Sequence, residues 1–283
     1  KKEMEQNYDI RPEVLTYEDV VKMVPALKGH RKLVDAVFKF LSIDKVNAVH
    51  SRHYMTPGIP FSHALIEKEF KVTLRVDNED VLERFKEGAF ITVSNHPLGA
   101  FDGISLLHLV GRHRPDFKVM VNMFLNHLSA MRPSFIAVDP FASNDPEKKA
   151  VSMKGIREAM KMVKSGSPIG FFPAGAMSRV NKELRIMDRE WQPTILRLIQ
   201  QMKVPVVPIY FHDRNSTFFN VLGAISWQLR TLRLPKEVFL RQGKEMHISI
   251  GEPIMPEEQA KYATTDELGK FLYNKTYELR KYK

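Results

Sequence analysis

The chain has 283 residues, enough to bury a sizeable core, and its 43% hydrophobic and 27% charged residues are ordinary for a globular protein. It contains no cysteine, so neither a disulfide framework nor thiolate chemistry is available. The formal net charge of +10 favours anionic partners such as membrane lipid, nucleic acid or an acidic carrier protein.

Two observations bear on membrane spans and export. The longest stretch without Lys, Arg, Asp or Glu is Asn215–Leu229, with 15 residues, whereas a membrane-spanning helix needs about 20 predominantly apolar residues. The segment Lys1–Asp9 is highly charged and no apolar core follows it. We therefore expect neither a transmembrane helix nor a signal peptide.

The first 60 residues are predicted to form a small helical appendage. Thr16-Tyr17-Glu18-Asp19 has the pattern of a capping box, and Arg31–Leu41 is amphipathic. Thr56-Pro57-Gly58-Ile59-Pro60 is a clear break in the helical pattern. We therefore divide the chain into an appendage at 1–60 and an α/β domain at 61–283.

Beyond residue 60, helical and strand patterns alternate, which predicts an α/β fold with a mostly parallel central sheet flanked by helices. The predicted strands are short apolar runs rich in β-branched residues: Lys71–Val76, 89–94, Phe117–Val121, Phe135–Val138, Ile169–Phe172 and Val204–Phe211. The predicted helices are Phe61–Phe70, Asp80–Lys86, one from Asn144-Asp145-Pro146 to about Lys164, Trp191–Met202, Phe218–Leu232 and Thr265–Tyr282, with a Thr265 cap. Val238–Arg241 and Met246–Ile250 are predicted to pair as a hairpin.

The most informative stretch is Ala89–Gly103, a buried strand followed by Asn95-His96 and a turn through Pro97-Leu98-Gly99. Asp102 occupies the position expected for a helix N-cap. Six positions along one helix correspond to about 240° net, so a helix alone cannot place His96 beside Asp102. A loop with Pro and Gly can fold Asp102 back onto the ring, fix its tautomer and leave Nε2 as a base. The alternative is that Asp102 only caps the helix and His96 is only a polar residue at a strand end.

Two further blocks stand out, a loop and a strand. The loop Phe171–Arg179 contains Pro173-Ala174-Gly175, which can bring backbone close to a ligand, and Arg179 can clamp an anion. Val204-Pro205-Val206-Val207-Pro208 is a strand entered and interrupted by prolines. Ligands bind at the carboxyl ends of strands in such sheets, so the loop Phe171–Arg179 is a candidate for the same site as His96.

Together these blocks resemble the lysophosphatidic-acid-type glycerolipid acyltransferase family. Its members carry a His–Asp block, a Phe-Pro-Glu-Gly-Thr-Arg-Ser block and a Val-Pro-hydrophobic-hydrophobic-Pro block, in this order. The resemblance implies that His96 and Asp102 are catalytic. It implies substrate-binding roles for residues of the first two blocks, namely Asn95, Gly99, Gly103, Pro173, Gly175, Ser178 and Arg179.

Departures from the family pattern bear on the acceptor. Five residues rather than four separate His96 from Asp102, which resembles the hemolysin-like branch, whose relatives acylate ornithine or glycine lipids. The family's Glu is Ala174 here, its first Arg is Met177, and Val138 stands where a phosphate-binding Arg is expected. Valine cannot bind phosphate, so we expect a lyso-amino-acid lipid rather than lysophosphatidic acid as acceptor. A lysophospholipid acyltransferase is the alternative.

The resemblance implies acyl transfer from acyl carrier protein or acyl-CoA to a hydroxyl of a lipid acceptor, with no cofactor and no metal. His96 would act as general base, and backbone N–H groups near Gly99 or Gly175 would hold the oxyanion. No Ser lies in a Gly-x-Ser-x-Gly elbow, so a covalent acyl-enzyme is disfavoured. The implied location is peripheral, on the inner face of the membrane, in the cytoplasm.

Two other classes of protein predict different sequence patterns. A non-catalytic protein that binds nucleic acid or an anionic membrane would interleave exposed aromatic residues with clustered Lys and Arg, but here the basic residues are spread along the chain. We therefore expect no nucleic-acid partner. A membrane-lytic protein would need an insertable segment of sufficient length. The apolar stretch Phe218–Leu232, flanked by arginines, is interpreted either as a core helix or as a surface that lies on an anionic membrane.

Overall fold

The computed structural model describes residues 8–139 and 145–282, and its centre is a seven-stranded sheet in the order β1-β9-β8-β2-β5-β3-β4. Its strands are β1 (Thr73–Asp77), β2 (Ile91–Ser94), β3 (Lys118–Asn122), β4 (Phe135–Val138), β5 (Ile169–Phe171), β8 (Val206–Phe211) and β9 (Glu245–Ile250). Every neighbouring pair is parallel except β8 and β9, which are antiparallel. A separate two-stranded ribbon consists of β6 (Arg179–Val180) and β7 (Ile186–Met187). The prediction of a mostly parallel α/β sheet is confirmed.

Helices cover both faces of this sheet. The α-helices are α1 (Tyr17–Met23), α2 (Arg31–Leu41), α3 (Ile43–His53), α4 (Ile59–His63), α5 (Asp80–Glu83), α6 (Ala100–Gly111), α7 (Pro146–Lys164), α8 (Pro193–Met202), α9 (Thr217–Ile225), α10 (Trp227–Phe239), α11 (Pro256–Gln259) and α12 (Thr265–Glu278). A π-helical segment, Ala64–Glu69, continues α4. Within the described ranges, no helix combines the length and apolar character needed to cross a membrane.

Alternating side chains of the strands build a separate apolar core on each face of the sheet. In β8, Val207 and Ile209 belong to one core cluster and Val206 belongs to the other. The first cluster is covered by α6, and the second is covered by α8 and α12. Strands buried on both faces explain why their sequences are continuous apolar runs rather than alternating ones.

The N-terminal helices begin as the sequence predicts. Thr16 accepts the backbone N–H of Asp19 and the Asp19 carboxylate accepts that of Thr16, which completes the capping box of α1. The α3 helix is tied to its surroundings, because His50 Nε2 accepts the N–H of Ala130 at 3.2 Å. Residues 1–7, part of the segment used to expect no signal peptide, lie outside the described residues. The division of the chain at residue 60 stays a prediction.

The predicted apolar helix over Phe218–Leu232 is wrong, because two helices, α9 and α10, occupy this stretch. Ser226 has extended backbone angles (φ −155°, ψ 128°), and its hydroxyl accepts the N–H of Leu229. A serine side chain stabilises a helix start in this way, so it breaks a continuous apolar pattern.

The predicted hairpin between Val238–Arg241 and Met246–Ile250 is also wrong. Val238 and Phe239 form the end of α10 and pack against the first core cluster. Only Glu245–Ile250 forms a strand, and it inserts between β1 and β8. Periodicity alone does not distinguish a four-residue apolar strand from the last turn of a helix.

One predicted helix start is shifted by a residue, and another is confirmed. Thr264, not Thr265, caps α12 and forms a capping box with Glu267. Asp145 caps α7 by accepting the N–H groups of Glu147 and Lys148. Asn144, the other residue of that predicted cap, lies outside the described residues.

Candidate active site

The candidate site lies where β2 ends and the chain turns into α6. Gly99 is the N-cap of α6 and adopts φ 75°, a conformation that favours glycine. A Cβ atom at Gly99 would lie 2.7 Å from Met177 Sδ and 3.2 Å from Leu234 Cδ1. The sequence therefore needs glycine here to bring His96 and the start of α6 against the second loop and α10.

His96 and Asp102 are brought together by this turn. His96 Nδ1 lies 3.0 Å from Asp102 Oδ2, and Asp102 is fully buried. The same oxygen accepts the backbone N–H groups of Leu98 (2.8 Å) and Gly99 (3.2 Å). The contact with the ring is within ion-pair distance but does not have hydrogen-bond geometry. Asp102 thus fixes both the ring and the loop that carries it.

Asp102 is not the helix N-cap that the sequence predicts. It is the third residue of α6, and its carboxylate accepts the backbone N–H of the true N-cap, Gly99. The helix begins earlier than expected because Gly99 reaches the positive φ that the turn requires. A carboxylate at this position also interacts favourably with the helix dipole.

The electrostatics of the pair follow from its burial. Burial raises the pKa of the Asp102 carboxyl, while the hydrogen bond and charge of His96 and the N–H of Leu98 act in the opposite direction. The His96 side chain is 17% exposed and packs against Phe172, with ring centroids 4.4 Å apart. Among the described residues, the close polar contact of the ring is the one between Nδ1 and Asp102, and the partly exposed side chain lines a cavity, which leaves Nε2 open to a ligand.

The second loop is bonded directly to the His96 backbone. Ser178 N–H donates to the His96 carbonyl at 2.8 Å, and Ser178 Oγ donates to Asp188 Oδ1 at 2.6 Å. Asp188 also accepts the N–H of His96 at 3.1 Å and the indole N–H of Trp191 at 3.2 Å. Burial raises the pKa of the Asp188 carboxyl, and these hydrogen bonds oppose that effect. The two predicted loops therefore form one bonded unit.

A cavity of about 350 Å³ extends from His96 along the carboxyl ends of β3, β4 and β5. Near His96 it is lined by Gly99, Ala100, Gly103 and Phe172. Its apolar lining includes Met120, Val121, Leu125, Val138, Ile156 and Ile195. Polar residues, among them Lys148 and Ser152, also line it. Its shape and lining suit a hydrocarbon chain.

The structure distributes the other predicted substrate-binding residues unevenly. Gly99, Gly103 and Gly175 line the cavity. Asn95 is buried; its side-chain Nδ2 donates to the Phe211 carbonyl in β8, and its Oδ1 accepts the Phe211 N–H. The Pro173 carbonyl accepts the N–H of Gln192. Thus Asn95 and Pro173 hold the scaffold in this structure.

Two predicted oxyanion donors are engaged within the protein. Gly99 N–H donates to Asp102, and Gly175 N–H donates to the Phe172 carbonyl at 3.0 Å. Ala100, the first residue of α6, lines the cavity beside them, and the first N–H groups of a helix have no intrahelical partner.

The residues that depart from the family pattern lie close to this site. Ala174 is buried, Met177 lies against Gly99, and Val138 lines the cavity. Arg179 begins β6 with an exposed side chain. Apolar side chains therefore occupy the positions at which the family pattern has charged groups.

Asp188 and Arg230 are not among the site residues that the sequence predicts. Asp188 is 92 residues from His96 in sequence, and nothing in Met187-Asp188-Arg189 marks it as a buried partner of the His96 loop. Arg230 is buried and donates from Nη1 to the Ser178 carbonyl at 3.1 Å. The sequence predicts one continuous helix here, with its arginines as flanking charges. The structure instead has a break at Ser226, and the new helix turns Arg230 inward.

Two groups of residues elsewhere have potential metal-ligand atoms within 4.8 Å of one another: His63, Glu67 and His108, and Asp77, His212 and His247. Neither group contains His96. The members bond one another, as His63 Nδ1 to His108 Nδ1 at 2.7 Å and His247 Nε2 to Asp77 at 2.6 Å. Burial, followed by the charge of the neighbouring histidine, lowers the pKa of His108 and of His212 to about 4. That no metal takes part stays a prediction.

Comparison with known proteins gives matches over most of the chain. A family model described as "Acyltransferase" matches residues 25–282. A lyso-glycine lipid O-acyltransferase of Bacteroides thetaiotaomicron is 30% identical over 254 residues, covering 87% of this chain and 89% of that protein. A lyso-glycine lipid O-acyltransferase of Phocaeicola vulgatus is 31% identical over 235 residues, covering 78% of each chain.

Among solved structures, the 1-acyl-sn-glycerophosphate acyltransferase of Thermotoga maritima has a TM-score of 0.49 and 15% identity, covering 88% of this chain and 91% of that one. The family model and the two curated relatives extend across all three sequence blocks. The chain therefore belongs to the acyltransferase family that its His–Asp block and the two blocks after it resemble.

Proposed function

We propose that this protein transfers a fatty acyl group from an acyl thioester, acyl carrier protein or acyl-CoA, to a hydroxyl of a lyso-amino-acid lipid. The observation that carries the proposal is the His96–Asp102 pair beside an apolar cavity, in a chain of the acyltransferase family. The names of the two curated relatives support a glycine lipid as acceptor.

In the proposed reaction, His96 Nε2 takes the proton of the acceptor hydroxyl as its oxygen attacks the thioester carbonyl. Asp102 holds the ring through Nδ1 and stabilises the imidazolium. The new C–O ester bond forms, the C–S bond breaks, and His96 returns the proton to the departing thiolate. The start of α6 at Ala100 offers N–H groups and a positive dipole end to the oxyanion.

The acceptor preference is argued from the side chains at the site. Val138 and Met177 are apolar where the family pattern has arginines, so those two positions offer no phosphate ligand here. An amino-acid lipid acylated on nitrogen instead presents a carboxylate and a hydroxyl or hydroxyacyl group. We accordingly assign the protein to membrane lipid synthesis on amino-acid lipids.

We also propose that the hairpin formed by α9 and α10 rests on an anionic membrane at its inner face. Among the exposed large apolar side chains within 8–139 and 145–282, six belong to these two helices, namely Phe218, Val221, Ile225, Trp227, Leu229 and Leu232, and Leu240 directly follows α10. The hairpin lies beside the catalytic loop, since Leu234 contacts the position of Gly99. A membrane on this face would deliver a lipid acceptor to His96.

Purified protein is incubated with isotopically labelled palmitoyl thioester and one acceptor at a time, lyso-glycine lipid or lysophosphatidic acid. The thioester is supplied either on acyl carrier protein or on CoA, and products are identified by mass spectrometry. We expect labelled diacylated glycine lipid from wild type and a loss of roughly two to four orders of magnitude in His96→Ala. Acylation of lysophosphatidic acid alone would overturn the proposed acceptor, and equal turnover by His96→Ala would overturn the mechanism.

A further inference from the structure

Arg230, on the inner side of α10, is a buried cation with few hydrogen-bond partners. It is 7% exposed, and Nη1 donates to the Ser178 carbonyl at 3.1 Å. Its guanidinium carbon lies 5.6 Å from the ring centroid of Phe219. Nε is buried and has no hydrogen-bond partner among the described residues. A buried guanidinium normally has a carboxylate beside it, because an unpaired buried charge is costly.

The charges nearest to Arg230 increase this imbalance. Burial, and then the positive charges of Arg189 and Arg179, lower the pKa of the Arg230 guanidinium. Arg189 also has a buried Nε without a partner in the described chain. None of the three arginines pairs with a carboxylate within residues 8–139 and 145–282. Arg233, one turn further along α10, does pair with one, Glu237, at 3.2 Å.

The backbone of α9 makes room for Arg230. A Cβ atom at Gly223 would lie 2.6 Å from Arg230 Cδ and 3.3 Å from Nη1. Glycine costs about 1 kcal/mol relative to alanine inside a helix. Glycine at position 223 therefore leaves space for the Arg230 side chain, although it lowers the helix propensity of α9.

The cluster of Arg179, Arg189 and Arg230 is joined to the catalytic loop through one residue. Ser178 accepts from Arg230 through its carbonyl and donates to the His96 carbonyl through its N–H. Arg189 directly follows Asp188, which bonds both Ser178 and His96. None of the three arginines lines the apolar cavity, so the cluster and the cavity are distinct surfaces reached from the same loop.

We propose that Arg230, with Arg189 and Arg179, binds the anionic head group of the acceptor. This inference rests on the proposed function, under which the anion is the carboxylate of an amino-acid lipid. Guanidinium groups bind carboxylate and phosphate oxygens in a bidentate manner, so an anion here would supply the charge that the protein lacks. The exposed Arg179 gives this anion a route from solvent.

The test compares a charged acceptor with a neutral one. Wild type, Arg230→Gln and Gly223→Ala are assayed with lyso-glycine lipid, with its methyl ester and with lysophosphatidic acid. Gly223→Ala displaces Arg230 without removing its charge, and alanine is a better helix former, so the fold is kept. Arg185→Gln, an exposed arginine on the β6–β7 ribbon, is the control for loss of one positive charge.

We expect kcat/KM for the free carboxylate to fall about tenfold or more in Arg230→Gln and Gly223→Ala, mainly through KM. We expect a change of no more than about twofold for the methyl ester, because a neutral head group makes no charge-assisted bond. Arg185→Gln is expected to match wild type. An equal loss on acid and ester would overturn the proposal, because it would show a purely structural role. A selective loss on lysophosphatidic acid alone would assign the site to phosphate and overturn the carboxylate.

A binding measurement separates this inference from the proposed reaction. N-dodecanoylglycine and its methyl ester are titrated into each protein by calorimetry, with no thioester present. Tighter binding of the acid than of the ester by wild type, abolished in Arg230→Gln, supports the cluster even if no acyl transfer is found. Equal binding of acid and ester by wild type overturns the cluster even if acyl transfer proceeds.

Discussion

The backbone N–H of His96 donates to Asp188 Oδ1 at 3.1 Å, although 92 residues separate the two in sequence. The same oxygen accepts Ser178 Oγ at 2.6 Å, and Oδ2 accepts the Trp191 indole at 3.2 Å. Asp188 N–H in turn donates to the Tyr277 hydroxyl at 2.8 Å. The buried Asp188 carboxylate thus joins the His96 loop to the second loop, and the Asp188 backbone joins both to α12.

Asp188→Ala is expected to lower the free energy of unfolding by roughly 3 kcal/mol or more, because it leaves buried donors without an acceptor. Activity should fall as well, since the His96 backbone loses an anchor. Asp188→Asn retains one acceptor oxygen and should lose less on both counts. Denaturant unfolding and turnover measure the two effects. Glu190→Ala, an exposed neighbour, is the control; wild-type stability in Asp188→Ala would contradict the anchoring role.

His96→Ala tests the proposed base. Turnover should fall by roughly two to four orders of magnitude, the usual contribution of general-base catalysis. The melting temperature should change little. The side chain lines a cavity instead of filling the core, and its close polar contact is the one from Nδ1 to Asp102. His30→Ala, at an exposed position before α2, serves as the control in the same assay. Full turnover in His96→Ala would remove His96 from the mechanism.

Asp102→Asn separates charge from shape. The asparagine oxygen can still accept the N–H of Leu98, but the side chain can no longer stabilise an imidazolium. Because burial raises the pKa of Asp102, removing the charge at neutral pH should cost the fold little. We expect a large loss of kcat at an almost unchanged melting temperature.

Asp80→Asn, an exposed carboxylate in the first turn of α5, is the matched control for that variant. If Asp102→Asn keeps wild-type kcat, Asp102 only holds the turn through Leu98 and Gly99. If its melting temperature falls together with kcat, the structural role outweighs the electrostatic one.

Membrane binding through the α9–α10 hairpin should depend on both apolar contact and charge. Ile225 and Trp227 are 73% and 65% exposed, so their replacement by serine should weaken binding to anionic vesicles without unfolding the protein. Wild-type binding should fall as salt rises, because the attraction of a basic protein is screened. Vesicle co-sedimentation measures both, with Met55→Ser as an exposed apolar control. Binding to neutral vesicles that ignores salt would contradict the electrostatic contribution.

Protonation of Glu69 is expected to account for part of the acid sensitivity of the fold. The hydrogen bond from Arg52 lowers the pKa of the Glu69 carboxyl to about 2, and His53 adds to this effect. Because the pKa is lower in the folded state, the ionised carboxylate stabilises the fold fully above its ordinary pKa of 4.5, and this stabilisation is lost as pH falls toward 2. Arg52 is 53% exposed, so screening limits the contribution to about 1 kcal/mol.

Denaturant unfolding of wild type and Glu69→Gln at pH 7 and at steps below pH 4.5 measures this contribution. The difference between the two proteins should shrink with decreasing pH. Glu67→Gln, whose side chain is 60% exposed, is the control for the loss of one carboxylate. A difference that is constant from pH 7 to pH 2 would contradict the assignment to ionisation of Glu69.

The sequence alone predicts the mostly parallel sheet, most of its strands and a candidate site at their carboxyl ends. Strands buried on both faces, such as Val206–Phe211, must be apolar throughout, so they are visible without any knowledge of their neighbours. His96, Gly99 and Asp102 lie within seven consecutive residues. The short turn between His96 and Asp102 therefore already limits how the two side chains can meet. Helix starts are harder to predict from sequence. The starts of α6 and α10 depend on the backbone angles of Gly99 and Ser226, which the residue types indicate only weakly.

Only the tertiary structure decided which distant groups complete the site. Asp188 reaches His96 because β5 and β2 are neighbours in the sheet, and the loop after β5 folds over the loop after β2. Arg230 faces Ser178 because α10 starts anew at Ser226 and Gly223 leaves space for its side chain. Hydrogen bonds and unpaired charges of this kind depend on distances across the fold, and a linear sequence carries no record of those distances.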